Sequence, residues 1–181
     1  EQTGFHVSGF SDRSLGNGLL TADDFVPGPG VESISEVCVW GQNWGPTADP
    51  DSADCALSVL SDGFRVRVLG STASGLPDND NVVGESVVSP MNLEKGVVPN
   101  SENGYGVETY GYQMTLDDEI TGLVPGERYW LEVSNAMSST EPCYWVWYEQ
   151  ENGNGSGNNY SAGGSVTQGY PPDYARAVDN S

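Results

Sequence analysis

Between Phe64 and Leu69 the chain alternates: Phe64, Val66 and Val68 fall on one side, and Arg65, Arg67 and Leu69 on the other. A repeat of two is that of a strand with one face on a core and the other toward solvent. The same repeat runs from Tyr110 to Leu116, with Tyr110, Tyr112, Met114 and Leu116 opposite Gly111, Gln113 and Thr115. A third strand is expected at Tyr129, Leu131 and Val133. It follows the turn Val124-Pro125-Gly126-Glu127, in which proline presets φ and glycine accepts a positive φ.

Ser33 to Trp40, Val82 to Val88 and Cys143 to Tyr148 are further strand candidates, rich in β-branched and aromatic residues and bounded by Gly, Pro, Asn or Asp. Turn clusters at Gly28-Pro29-Gly30, Gly75-Leu76-Pro77-Asp78 and Pro99-Asn100-Ser101 separate them. Six short strands so spaced predict an all-β antiparallel sandwich, jelly-roll-like, rather than βαβ units. One short helix is allowed, over Ser52 to Leu60, where Asp51 can cap and Ala53, Ala56, Leu57 and Leu60 have helical spacing. Glu151 to Gln168 opens with seven glycines and asparagines in nine residues and predicts a long surface loop. The expected organisation is an extended N-terminal segment, 1–20, and one sandwich domain, 21–181.

With 181 residues the chain can bury a real core. Its 26 acidic residues against 6 basic ones leave a formal net charge of −20. Nucleic acid is excluded as a partner, because phosphate neutralisation needs clustered cations and Lys95 is the single lysine among scattered arginines. Anionic membrane surfaces are disfavoured for the same reason. No apolar run of 18 residues exists, so no membrane-inserted helix is expected. No charged segment followed by an apolar one opens the chain, which therefore reads as a mature or trimmed product.

Catalytic chemistry finds little to stand on. His6 is the only histidine, and no nucleophile elbow accompanies it. One histidine and the separated Cys38, Cys55 and Cys143 lack the paired spacing of a zinc site. No cofactor is expected beyond calcium, for which two runs offer oxygen ligands: Asp49, Asp51 and Asp54 in one, Asp78 and Asp80 in the other. Plain turns would use the same residues. Three cysteines leave one thiol after any internal pair, either buried and free or joined to a cysteine outside these residues. Trp40, Trp44, Trp145 and Trp147 could present rings to sugars or fill a core, and alternation lets only one face of Cys143 to Tyr148 lie outside. Asn154 and Asn159 begin Asn-x-Ser sequons in the polar loop and are candidate glycosylation sites.

Several stretches, in order, carry a resemblance. They are Ala22-Asp23-Asp24-Phe25-Val26-Pro27, Val39-Trp40-Gly41, Phe64 to Val68 with Gly75-Leu76-Pro77, Gly84-Glu85-Ser86-Val87, Pro125 to Val133, and Tyr144-Trp145-Val146-Trp147. Together they resemble a β-sandwich domain of bacterial exported and surface-anchored proteins of largely unassigned function. The resemblance covers most of residues 20–180. It implies a further C-terminal strand, near Asp-Leu/Met-Ala-Phe and often followed by cysteine, beyond Asp179-Asn180-Ser181. That strand would come from a continuing polypeptide or from a neighbouring subunit by strand addition, and either would give Cys143 an external or intermolecular partner. Cys38 and Cys55 would then close a loop of about 17 residues, contributing about 3 kcal/mol in the loop-entropy view.

The function expected is that of a non-enzymatic extracellular or cell-surface module, structural or adhesive, with itself or other surface proteins as partner. A surface layer or filament built by strand addition fits that description. The alternatives are a carbohydrate-binding module taking glycans and, after it, a glycoside-acting enzyme using two of the carboxylates.

Overall fold

The computed structural model describes residues 5–10, 20–44, 63–98, 108–135, 144–150, 159–162 and 175–176. It is an all-β sandwich of two antiparallel sheets. The strands are β1 (Phe5–Phe10), β2 (Leu20–Phe25), β3 (Ser33–Trp44), β4 (Phe64–Ser71), β5 (Pro77–Val88), β6 (Leu93–Val97), β7 (Tyr110–Thr121), β8 (Tyr129–Asn135), β9 (Tyr144–Gln150), β10 (Asn159–Ala162) and β11 (Ala175–Arg176). The first sheet has the order β1-β9-β3-β7-β6 and the second β11-β10-β2-β8-β4-β5. A single 3-10 turn at Pro90–Asn92 is the only helical feature among the described residues; the candidate helix over Ser52 to Leu60 lies outside them. No helix among the described residues is long and apolar enough to cross a membrane.

All six expected strands are present, three read from alternation and three from β-branched and aromatic content, and most are longer than the pattern alone marks. Their apolar faces meet between the sheets: Phe64, Val66 and Val68 of β4, Val88 of β5 and Val133 of β8 pack against Val37, Val39, Tyr112, Met114, Leu116, Ile120 and Trp145. Each such side chain contributes roughly 1.5–3 kcal/mol on burial. Phe64 holds the centre, with ring centroids 5.3 Å from Tyr112 and 5.2 Å from Trp145, both in steep edge contacts. That arrangement sets ring edges against the negative faces of their neighbours.

Three expectations are corrected. The Arg65-Arg67-Leu69 side of β4 is not a wet face: Leu69 is fully buried with Trp130 and Ala22 in a second apolar cluster, and Arg67 is buried beside them. The register explains the grouping, since Arg67 stands opposite Glu132 and Leu69 opposite Trp130. The segment 151–168 is not all loop, because β10 pairs with β2 from Asn159↔Asp23 to Ala162↔Leu20; a neighbour's backbone supplies what its polar sequence did not signal. Phe5–Phe10, in the segment set before the domain, pairs with β9 as the edge of the first sheet.

Two connections cross between the sheets at one pole. The β2–β3 loop turns at Gly28 to Val31, with Gly30 at φ 81° and Val31 N–H donating to the Gly28 carbonyl at 3.1 Å. The β7–β8 loop makes the turn read from sequence, with Gly126 at φ 86° and Glu127 N–H donating to the Val124 carbonyl at 3.1 Å. Leu123 N–H to the Glu32 carbonyl and Gly126 N–H to the Pro27 carbonyl, both 3.0 Å, tie the two loops together.

Candidate functional site

The outer face of the first sheet gathers the most binding chemistry. Across its strands Tyr148, Trp40, Gly111 and Gly96 stand in one row. Two adjacent glycines leave a lane without side chains. The Trp40 indole is half-buried there, its Nε1 and Cδ1 3.8 and 3.9 Å from where a Cβ on Gly111 would sit. One row along, Cys38, Gln113 and Glu94 are opposed. Gln113 Nε2 donates to Glu36 Oε1 at 2.5 Å, and the exposed Cys38 Sγ lies 4.0 Å from the same oxygen. Partial burial, and then the Glu36 charge, push the Cys38 thiol above its ordinary value. Trp40 and the Glu36–Gln113 pair thus share one face of the sheet, and an aromatic ring with hydrogen-bonding groups on the same face is the chemistry that suits a pyranose, whose C–H face stacks on a ring and whose hydroxyls take hydrogen bonds.

The other aromatic candidates are dispersed. Trp145 is fully buried against Phe64 and Tyr112, so it offers no ring to a sugar. Trp44 is registered with Tyr144, and Trp147 with Gly41; their side chains are outside the described ones. Asn43, also fully buried, donates through Nδ2 to the Tyr112 hydroxyl at 2.5 Å.

Of the calcium candidates, Asp78 and Asp80 stand at the start of β5, where Asp80 N–H donates to Asp78 Oδ1 at 3.1 Å. That local bond is the one an Asp-rich turn makes without any ion. Among the described residues no group of three or more His, Cys, Asp or Glu side chains could hold a metal. Asp49, Asp51 and Asp54 lie outside the described residues, as do Cys55, Cys143 and Asn154. Asn159 is the first residue of β10. Cys38 carries an exposed free thiol.

Sequence reasoning missed the buried charges. Glu132 is fully buried and takes two contacts from Arg67 Nη1, at 3.2 and 3.4 Å. Asp24, almost fully buried, pairs with Arg128 Nε at 3.3 Å. A hint was present in Arg65 and Arg67 on one side of β4, but the buried partner, Glu132, is 65 residues from Arg67. Asp117 was equally silent. Its carboxylate accepts from the Ser89 hydroxyl, from Asn92 Nδ2 at 2.8 Å and from Ser89 N–H at 3.2 Å, clamping the β5–β6 connection onto β7.

The chain matches no family model, no curated protein and no solved structure.

Proposed function

We propose that this chain is a non-enzymatic, extracellular structural or adhesive module, working through surface contacts with itself or with other surface proteins. The observation that carries the reading is an asymmetry between the two sides of the sandwich. On one side the edge strands are guarded: β5 opens with a proline, carries Asp78, Asp80 and Glu85 and is bulged against β4, while β6 has five residues that include Glu94 and Lys95. Proline, charge and bulges are the means by which sheets refuse further strands. On the other side the first sheet ends in β1, Phe-His-Val-Ser-Gly-Phe, with no acid, lysine, arginine or proline. The second sheet tapers there to β11, which pairs with two of the four residues of β10. Among the described residues no further strand lies beyond β1 or β11, so a strand added on that side would extend a sheet. The resemblance to exported β-sandwich domains points the same way.

The test is size analysis at low and high calcium together with intact mass with and without reductant. Multimers should form and should be lost on Val7→Lys, which guards the open side, but persist in Val87→Lys on the guarded side. A chain that stays monomeric under all conditions refutes the reading.

Carbohydrate binding is a second reading, favoured by Trp40 on its glycine lane. Retardation in gels containing soluble polysaccharides, lost in Trp40→Ala, is its measurement.

A further inference from the structure

The pole formed by the β2–β3 and β7–β8 loops carries apolar side chains that the core does not use. Seven large apolar side chains are exposed among the described residues, and three of them, Val26, Val31 and Val124, sit on these two loops at 55%, 44% and 48% exposure. Single exposed valines need no explanation, whereas a cluster with a polar border marks a contact surface. The inter-loop bonds place Val31 and Val124 beside each other, one residue from the Glu32–Leu123 bond, and Val26 beside the Pro27–Gly126 bond. The exposed Pro29 and Pro125 extend the apolar surface.

This surface is held rigid. Both turns are hydrogen-bonded with glycine at positive φ, and Val124 N–H donates to the Tyr129 hydroxyl at 3.0 Å. Tyr129 packs on Phe25 at 5.9 Å. Binding here orders little backbone, so less affinity is lost to conformational entropy. The border is acidic: Glu32, Glu119 and Glu127 are exposed. Ser33 Oγ donates to Glu119 at 2.5 Å and the Tyr129 hydroxyl to Glu127 at 3.3 Å, which fixes both carboxylates at the border. The nearby cation, Arg128, is already held by Asp24.

We propose that this pole docks a basic segment of another surface protein, with apolar side chains entering between Val26, Val31 and Val124 and lysines or arginines meeting the glutamate border. The charge pattern favours such a partner over a second copy of a chain with a net charge of −20. The proposal rests on the surface-contact reading above and names one contact within it.

The probe is a twelve-residue synthetic peptide alternating lysine with leucine, with lysine–serine and glutamate–leucine peptides as controls. The lysine–leucine peptide should bind and should protect the amides of 26–32 and 122–127 from exchange. Its affinity should fall at least tenfold in Val26→Ser/Val31→Ser/Val124→Ser, and severalfold in Glu32→Gln/Glu127→Gln with a weaker salt dependence. All five positions are exposed, so the variants fold. Equal binding by the serine variant, binding of the lysine–serine peptide just as tight, or no binding at all overturns the proposal. So does self-association that the serine substitutions abolish, since the occupant is then a second copy. Strand-edge multimers that survive the serine substitutions leave the module reading standing when this contact fails.

Discussion

Arg67 and Glu132 face each other on neighbouring strands of the second sheet, Arg67 Nη1 donating at 3.2 Å to a Glu132 carboxylate that is fully removed from water. Glu85 lies 3.8 Å from Arg67 Nε and also pairs with Arg65, so the charges form a chain across β8, β4 and β5. In the interior the attraction between two charges offsets a desolvation cost of several kcal/mol per ion only while both are present.

Removing one partner is therefore the costly change. Arg67→Met should destabilise by about 3–5 kcal/mol, because the fully buried Glu132 loses its guanidinium, and Glu132→Leu by less, because Glu85 still lies beside Arg67. The double variant should recover most of that loss. A double-mutant cycle from urea unfolding measures it, and additive losses would show that the two residues act independently.

Asp117 ties the stability of the β5–β6 connection to pH. The Ser89 hydroxyl, and then Asn92 and the Ser89 amide, hold its carboxyl below the ordinary value of 3.8. A group so depressed contributes stability that is present above the unfolded-state value and lost as pH falls through the lower folded one. Asp117→Asn should thus be less stable than the parent near neutrality, with the gap closing in acid below pH 3.8. Unfolding midpoints against pH read this directly, and the Ser89 amide should exchange faster in the variant at pH 7.

Gly84 has no room for a side chain. A Cβ there would lie 2.6 Å from Ile120 Cγ2 across the sheets. Gly84→Ala should cost about 1–3 kcal/mol by overpacking. Ile120→Leu, which removes the branch methyl at Cβ, should recover part of that cost in the double variant, whereas a pure backbone effect would leave it unchanged. Thermal melts of the four proteins decide.

Cys38 should alkylate slowly for an exposed thiol, because its raised pKa leaves less thiolate at pH 8. Glu36→Gln should quicken the reaction modestly, with desolvation remaining as the larger cause. Mass spectrometry of iodoacetamide adducts follows it.

The candidate site was legible only in part. Trp40 was named from its residue type, but the lane beside it needed Gly111 and Gly96 brought into one row by pairings that alternation does not encode. Trp145 and Trp40 look alike in sequence, and only the register sends one into the core while the other lies on the outer face.

From the sequence alone came the strand class, the alternating faces of β4, β7 and β8, and the Pro125-Gly126 turn, because each depends on residues within a few positions of one another. The tertiary structure decided the rest. It buried the second face of β4, drew Asn159–Ala162 and Phe5–Phe10 into sheets, and set Glu132 against Arg67. These outcomes depend on which distant strand supplies hydrogen bonds and which side chains exclude water, and a local pattern of apolar and polar residues carries neither.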